Sequence, residues 1–339
     1  MKKSIGIRKI LNLFLAFLPV LIFGWKFLPF FLPLVEVFFM NQTFRLAAGL
    51  LFSLYWLTLL FLTFYDRRVA ALGLLASSLL LADGLHYSGG GVDYPEKKSR
   101  RPKFSIYSQN ILTDAIKRKK YDLFETIRIL DPDVVALQEV SDFDIEILLD
   151  KFAEIGYHGY PQTDATPNEA LGFAIFSRLP VKDAQAFLLT GVDWSPLWPL
   201  QGLEFQVGDR WVCCLNLHLI PPHHGAKGAY AVRSLQQEIA FRQTAEIVDY
   251  IQCGGKAAVV CGDFNQTPSS KIMWAFRKYF HDSFTEAGEG LGFTWNMRRP
   301  FFRIDYMLHN DKLRALQCRT IPTNYSDHRG IFAEFELLE

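Results

Sequence analysis

Cysteine is scarce in this sequence, and none of it is spaced as a metal site or a disulfide scaffold requires. The five cysteines stand at positions 213, 214, 253, 261 and 318, an odd number with no Cys-x-x-Cys pair. The sequence therefore indicates neither a cysteine zinc site nor a disulfide framework, and we expect buried free thiols. Cys213 and Cys214 are neighbours in a strand pattern, so they should point to opposite faces. No segment recurs at a period of about 20–50 residues, which excludes a repeat architecture.

Charge is also scarce at the front of the chain. Residues 1–91 hold eight Lys and Arg against three Asp and Glu, a net charge of +5, whereas residues 92–339 hold 28 against 32, a net of −4. The 339 residues are enough for one large domain or two smaller ones. The small negative net charge of residues 92–339 argues weakly against tight, sequence-independent binding to DNA, because such binding depends on Lys and Arg contacts.

Three stretches of the front segment carry no charge at all. They are Ile10–Trp25, Leu46–Tyr65 and Val69–Ala82, with 16, 20 and 14 residues. Since a bilayer core of about 30 Å needs roughly 20 apolar residues, residues 1–87 are predicted to form a membrane anchor of about three transmembrane helices. A cleaved signal peptide is the alternative for the first stretch, but no small-x-small cleavage site follows it.

The basic flanks of these stretches predict an orientation. Lys2–Lys9 and Arg67-Arg68 should lie on the cytoplasmic side of a bacterial inner membrane, which places the rear domain in the periplasm. A basic cluster within Lys97–Lys103 lies on the wrong side for this rule, and loss of the third span would move the rear domain to the cytoplasm. Residues 88–103, which begin Ser88-Gly89-Gly90-Gly91, are predicted to form a linker. The basic cluster could rest on anionic lipid headgroups or form a solvated tether.

From residue 104 to residue 339, short apolar runs alternate with amphipathic segments, the pattern of a domain that mixes strands and helices. The predicted strands are Phe104–Ser108, Val134–Leu137, Phe173–Phe176, Leu203–Val207, Trp211–Leu219, Ala257–Val260, Ile304–Leu308 and Ile331–Leu337. The predicted helices are Tyr121–Leu130, Phe143–Phe152, Arg233–Ile251 and Ser269–Tyr279.

Polar residues of catalytic types stand at the ends of these strands. After Ala257–Val260 the chain reaches Asp263 and Asn265, whose side chains leave the same face of an extended segment. A carboxylate and an amide at the tip of a buried strand are costly unless they bind something, although an Asx turn is the alternative. The same pattern recurs at Asn110, Glu139, His218, Asp305, Asp327 and His328. Singly, these could be turn residues, a core histidine or a buried ion pair; together they predict one site at a common rim.

The motifs that hold these residues are specific as a set. They are Gln109-Asn110, Leu137-Gln138-Glu139-Val140, Asn216-Leu217-His218-Leu219, Gly262-Asp263-Phe264-Asn265, Arg303-Ile304-Asp305-Tyr306-Met307-Leu308 and Ser326-Asp327-His328. In this order they resemble the endonuclease/exonuclease/phosphatase superfamily, which includes DNase I and neutral sphingomyelinases, and the resemblance spans about residues 104–337. It implies a DNase I-like α/β (α+β) fold, a four-layer sandwich of two mixed sheets with helices outside. The front segment is similar to membrane-anchored bacterial members.

The resemblance also implies a role for each site residue. Glu139 is expected to bind the metal ion, with Asn110 assisting and Asp327 as a second ligand. The site set is rich in oxygen and free of sulfur, which favours Mg²⁺ or Mn²⁺ over zinc.

The remaining residues are expected to act on the phosphate. Asp263 would orient or deprotonate the attacking water, and Asn265 would hold a non-bridging oxygen. His218 and His328 would flank the phosphate, and Asp305 would fix the tautomer of His328.

The sequence thus predicts a membrane-anchored, metal-dependent phosphoesterase that hydrolyses a phosphodiester, either in nucleic acid or in a phospholipid-type headgroup. Its expected partners are that substrate and, through the front helices, the lipid bilayer; no protein partner is indicated. A catalytically silent binding module of the same fold is the alternative, but a binding surface would not need the whole set of acids, amides and histidines.

Overall fold

The structure is a computed structural model that describes most of the chain. The described residues are 14–19, 42–62, 67–90, 100–112, 121–162, 172–192, 195–221, 230–296 and 301–338. The chain divides into two compact units, one of Met1–Tyr87 with Thr267–Lys271 and the other of Ser88–Gln266 with Ile272–Glu339.

The front unit contains two long helices, α1 (Gln42–Leu62) and α2 (Arg67–Leu85), and residues 14–19 are also helical. The two long helices pack closely at Gly73, where an added Cβ would lie 2.3 Å from the indole of the buried Trp56. Arg45 and Asp83 form a buried ion pair between them. Glycine and an ion pair thus fix the contact between α1 and α2.

Two of the three predicted membrane spans fall on these helices. Leu46–Tyr65 lies mostly in α1 and Val69–Ala82 lies within α2, whereas Ile10–Trp25 falls mainly outside the described residues. Among the residues that are described, no helix combines the length and the apolar character needed to cross a membrane.

The rear unit is built on two six-stranded mixed sheets. In spatial order the first holds β10 (His281–Asp282), β12 (Asp305–His309), β9 (Ala257–Asp263), β8 (Arg210–His218), β7 (Ser195–Val207) and β6 (Val181–Val192). The second holds β13 (Leu313–Ile321), β14 (Gly330–Leu337), β2 (Lys103–Asn110), β3 (Val134–Val140), β5 (Gly172–Ser177) and β4 (His158–Gln162). One adjacent pair in each sheet is parallel, β8 with β9 and β2 with β3, and the other pairs are antiparallel.

Helices cover the outer faces of both sheets. They are α3 (Tyr121–Leu130), α4 (Asp142–Glu154), α5 (Tyr230–Gly254) and α6 (Lys271–Phe276). The short helix α7 (Ser283–Ala287) instead packs Phe284 into the cluster between the sheets. Strand β9 shows how its residues divide between layers: Ala258 and Val260 pack with the apolar residues of α5 and α6, while Val259 and Cys261 pack between the sheets. A third cluster buries α3 and α4 against the second sheet. The period of two along each strand therefore builds the predicted four-layer sandwich, which is confirmed.

The interior strands match the sequence predictions, whereas all four sheet-edge strands were missed. These edges are β4, β6, β10 and β13. Edge strands bury less apolar surface and often contain polar residues or proline; β4, for example, contains Pro161. They therefore lack the apolar run that indicates a strand. The helix predicted over Ser269–Tyr279 is shorter, at Lys271–Phe276.

Gly89 and Gly90, predicted to begin a linker, form the short strand β1 and pair with β11 (Glu289–Gly290). An added Cβ at Gly89 would lie 2.2 Å from the Gly288 backbone, so this pairing requires glycine. Residues 91–99 lie outside the described residues.

The described cysteine thiols are free and buried, as predicted; they belong to Cys213, Cys214, Cys261 and Cys318. Cys213 and Cys214 face different layers, which was also predicted.

Candidate active site

The predicted site residues converge where the central strands of both sheets end. Asn110 ends β2, Glu139 is the penultimate residue of β3, His218 ends β8 and Asp263 ends β9. Asp305 begins β12 directly opposite Asp263, because β12 runs antiparallel to β9. Parallel neighbours deliver their carboxyl ends to one rim, which is the reason that residues distant in sequence meet here.

Asp263 is the centre of the group, and it is buried. Its Oδ2 accepts a hydrogen bond from Asn110 Nδ2 at 3.2 Å. The same oxygen lies 3.6 Å from His218 Nε2 and 3.8 Å from His328 Nε2. Its Oδ1 accepts a hydrogen bond from the backbone N–H of Asn265 at 2.8 Å. One carboxylate therefore contacts both predicted histidines, the side-chain amide of Asn110 and the backbone N–H of Asn265.

The approach of β9 to β8 requires the glycine before this acid. Gly262 has a φ of +132°. An added Cβ would lie 2.0 Å from the Leu217 carbonyl oxygen. A side chain at this position would push β9 away from β8 and move Asp263, so the Gly-Asp order in the motif has a steric cause.

Glu139 is aimed at the group by a distortion of its strand. The pairing of β3 with β5 shifts register between Gln138 and Val140, and Glu139 has a left-handed φ of 56°. Its Oε1 accepts a hydrogen bond from Asn110 Nδ2 at 2.8 Å and lies 3.9 Å from His218 Nε2. A positive φ on a non-glycine residue is costly, and such residues cluster at functional sites.

His328 and Asp305 form a tight pair. The Nδ1 of His328 lies 3.0 Å from each carboxylate oxygen of Asp305, and both side chains are buried. The loop that carries His328 is held by Ser326, whose Oγ donates to the Asn110 carbonyl at 2.7 Å and accepts from the His328 backbone N–H at 3.0 Å. The imidazole therefore presents Nε2 toward Asp263.

The electrostatics of the group follow from burial and crowding. Burial raises the pKa of Asp263, and the negative charge of Asp305 raises it further, to about 6, although both histidines oppose the shift. Burial lowers the pKa of His328, but the carboxylates of Asp305 and Asp263 outweigh it and raise the pKa to about 10. At neutral pH, His328 is thus an imidazolium beside carboxylates.

Asp327 and Asn265 lie at the margin of the group. Asp327 Oδ2 accepts a hydrogen bond from the indole of Trp295 at 3.1 Å, and its Oδ1 lies 4.0 Å from His328 Nε2. The side-chain amide of Asn265 donates to the Leu219 carbonyl at 2.9 Å. The residues placed to contact a substrate most directly are therefore the remaining six: Asn110, Glu139, His218, Asp263, Asp305 and His328.

Two buried amides of the sequence motifs, Gln138 and Asn216, support the site from below, a role that was not predicted for them. Gln138 Nε2 donates to Asn216 Oδ1 at 2.6 Å, and Asn216 Nδ2 donates to the Leu137 carbonyl at 2.9 Å. Because Gln138 lies in the second sheet and Asn216 in the first, these bonds tie the sheets together directly under the site. Buried amides inside apolar strands were the sequence signal, since such groups need partners.

Gln109 supports the His328 loop in a similar way. Its Oε1 accepts hydrogen bonds from the hydroxyls of Tyr107 at 2.6 Å and Tyr325 at 2.8 Å. Its Nε2 lies 3.2 Å from Thr323 Oγ1 and 3.3 Å from the His328 carbonyl. The two tyrosines fix the amide so that its N–H groups point at the loop.

The group fits a divalent cation. Asp263, Asp305 and His328 are buried, and one oxygen or nitrogen atom from each lies within 4.8 Å of the others. Because His328 is an imidazolium that contacts Asp305, a cation here would be bound by carboxylate oxygens and not by the imidazole. This group differs from the predicted ligands Glu139, Asn110 and Asp327, although Glu139 and Asn110 adjoin it. A cation would offset the negative charge that raises the pKa of Asp263, and carboxylate oxygens suit a hard ion.

Comparison with known proteins places this geometry in a family. The family model described as "Endonuclease/Exonuclease/phosphatase family" matches residues 107–328. In sequence comparison, no protein of curated function matches the chain.

Several solved structures share the fold. An endonuclease/exonuclease/phosphatase from Bacteroides vulgatus is 19% identical, with 69% of this chain and 99% of that one covered and a TM-score of 0.58. The human Nocturnin catalytic domain is 19% identical, with 70% and 94% covered and a TM-score of 0.56. The mannosyl-6-phosphatase of Bacteroides thetaiotaomicron is 15% identical, with 68% and 99% covered and a TM-score of 0.57. With the family match across most of the rear unit, the chain belongs to the endonuclease/exonuclease/phosphatase family, whose members hydrolyse phosphoric ester bonds.

Proposed function

We propose that this protein is a divalent-metal-dependent phosphoesterase that uses Mg²⁺ or Mn²⁺ to hydrolyse a phosphodiester. One observation carries the proposal: a buried imidazolium, His328 held by Asp305, lies within 3.8 Å of a second buried carboxylate, Asp263. Such a pair can donate to a phosphate and accept a proton from water within one small space.

Each residue then has a defined task. Asp263 orients the attacking water and accepts its proton, since the elevated pKa of this carboxyl lies near neutrality. His328 and His218 donate hydrogen bonds to the phosphate oxygens as negative charge develops there. Asp305 keeps His328 oriented and protonated.

The ion would be held by the carboxylates at the same rim. Glu139, oriented by the Asn110 amide, is the first candidate ligand, and Asp327 is a second. A bound divalent ion would neutralise the phosphate charge and polarise its P–O bonds.

The substrate class stays at two candidates, a nucleic acid and a phospholipid-type headgroup. The structural relatives include a mannosyl-6-phosphatase and ANGEL2, a 2′,3′-cyclic phosphatase, which act on quite different phosphate esters. A test panel should therefore hold DNA, RNA, sphingomyelin, inositol phosphates, a cyclic phosphodiester and a sugar monophosphate.

We expect the full chain, solubilised in neutral detergent, to hydrolyse at least one phosphodiester of this panel with Mg²⁺. EDTA should abolish this hydrolysis, because chelation removes the ion that neutralises the phosphate. Added Mg²⁺ or Mn²⁺ should restore it. Phosphate or alcohol release is the measurement. Hydrolysis that persists at full rate in EDTA would contradict the assignment of a metal ion.

We also propose that the front unit attaches the protein to a bilayer, with the rear domain in the bacterial periplasm. Large apolar side chains are exposed along both helices: Leu50, Leu51, Leu54 and Leu57 on α1, and Leu72, Leu75, Leu79 and Leu85 on α2. An apolar surface of this extent needs a covering, and lipid tails would supply it.

Fractionation of expressing cells should find the full chain with the membranes, and neither high salt nor alkaline carbonate should release it. Replacing two of the exposed leucines, Leu51→Glu with Leu72→Glu, should weaken this retention, since a charge inside a bilayer is costly. Protease added to spheroplasts should cut the rear domain. Release of the unaltered chain by salt alone would contradict attachment through apolar helices.

A further inference from the structure

A cavity lies at the end of the first sheet remote from the catalytic group. It is a cleft of about 300 Å³, named the basic cleft, and its lining includes five basic side chains and one acid: Lys256, Arg277, Lys278, His281, Lys312 and Asp311. Lys256 precedes β9, whereas Asp263 ends that strand. At about 3.3 Å per residue the two are separated by roughly 20 Å, so the basic cleft is a separate place.

Positive charge is concentrated here although residues 92–339 carry a net charge of −4. Lys278 stacks over the ring of Trp274 at 4.9 Å, and Lys312 donates to the Gly255 carbonyl. Both ammonium groups thus contact neutral partners, and both side chains are exposed. Arg277, which is 20% exposed, adds a third cation.

The acids near the basic cleft contact basic side chains. Asp311 accepts a hydrogen bond from His281 Nε2 at 2.6 Å. Asp282 holds Arg303 through two bonds of 3.0 and 2.8 Å, and lies 3.8 Å from Arg277. Glu204 pairs with Lys256. The lysines at 278 and 312 therefore give the basic cleft a surplus of positive charge that an external anion can neutralise.

The lining is fixed by one asparagine. The side chain of Asn310 donates to the Lys256 carbonyl at 2.8 Å and accepts from the backbone N–H groups of Ala258 at 3.2 Å and Lys312 at 3.4 Å. These bonds join the start of β9 to the turn that follows β12. The backbones that carry two of the lysines are thus held in place before any ligand arrives, which lowers the entropy cost of binding.

We propose that the basic cleft binds a small anion that carries its charge on phosphate groups. Lys and Arg together recognise phosphate, and a volume of about 300 Å³ lies at the small end of the range for ligand pockets, enough for one headgroup or metabolite. The phosphate can belong to a soluble molecule or to a lipid headgroup. This site is additional to the catalytic one and does not depend on the proposed reaction.

The experiment uses the full chain in neutral detergent with His328→Ala, in EDTA, so that the catalytic group contributes little. Pyrophosphate is the soluble probe, and mixed micelles doped with phosphatidylglycerol, compared with phosphatidylcholine alone, are the lipid probe. Titration calorimetry should detect binding of at least one probe. Lys278→Gln with Lys312→Gln should weaken that binding by at least about tenfold, because each lysine supplies a charge-assisted contact.

A matched double variant controls for the loss of two charges. Lys151→Gln with Lys182→Gln removes two exposed lysines from other faces and should leave the affinity unchanged. Lysine-dependent binding of pyrophosphate assigns the basic cleft to soluble phosphates, and lysine-dependent binding of the doped micelles alone assigns it to headgroups. If neither probe binds, or if both double variants bind equally well, the proposal is wrong.

Discussion

Replacing His328 with alanine should lower the turnover number for the best phosphodiester by about 10²–10⁴-fold while leaving the fold intact. The imidazolium is held between Asp305 and Asp263, so it is placed to donate to developing charge. The measurement is kcat under saturating Mg²⁺, with circular dichroism to show that the variant is folded.

The chain supplies a matched control for this variant. His309, at the far end of β12 from Asp305, is also buried and also has an acid partner, since its Nε2 lies 2.9 Å from Glu286 and its Nδ1 lies 3.1 Å from Ser283 Oγ. His309→Ala should reduce stability, yet each folded molecule should keep its turnover. Equal losses of turnover in the two variants would mean that any buried histidine matters only for packing, and the catalytic role of His328 would be wrong.

The convergence of the site could be predicted from sequence because it follows from strand order alone. Residues at the ends of parallel neighbours meet, so Asn110, Glu139, His218 and Asp263 were found by where their strands end. The direction of each side chain could not be predicted in this way. Asn265, with a φ of 52°, turns its amide to the Leu219 carbonyl rather than leaving the strand as an extended residue would.

The sheet edges show the corresponding limit for the fold. A central strand buries both faces and therefore reads as a continuous apolar run, which is how β9 was recognised. Strand β13, at an edge, has an exposed residue at Arg319 and buries fewer than half of its positions. Its pairing with β14 depends on contacts distant in sequence, which a local pattern does not contain.

The motif that contains Asp305 illustrates how one stretch serves two purposes. Arg303 and Asp305 are two residues apart, and the sequence alone is compatible with an ion pair between them. Instead, Asp305 holds His328, and Arg303 forms a buried pair with Asp282. The catalytic group and its structural support are thus encoded side by side.

Replacing Asp282 with asparagine should therefore destabilise the full chain by about 3–5 kcal/mol, the cost of leaving a buried cation without its counter-ion. Asp282 accepts two hydrogen bonds from Arg303, at 3.0 and 2.8 Å, and both side chains are almost completely buried. Asp282 also caps α7 by accepting from the Phe284 N–H at 3.1 Å, a task that asparagine performs as well. The change thus keeps the cap, while it removes the negative charge and one of the two acceptors of Arg303. Urea unfolding followed by tryptophan fluorescence is the measurement.

An exposed pair of the same two residue types is the control. Asp131 pairs with Arg178 and its side chain is 69% exposed, so Asp131→Asn should leave the unfolding midpoint almost unchanged.

The dependence of stability on pH gives a second test of the Asp282–Arg303 pair. Burial would raise the pKa of Asp282, but Arg303 and Arg277 outweigh it and lower the pKa below the ordinary value of 3.8. A lowered folded pKa stabilises the protein above that ordinary value and ceases to do so as the pH falls through the folded pKa. The gap between the natural chain and Asp282→Asn should thus be constant from neutrality to about pH 5 and narrow below about pH 4. A gap that instead widened in acid would show that the carboxylate is not the counter-ion of the buried arginine.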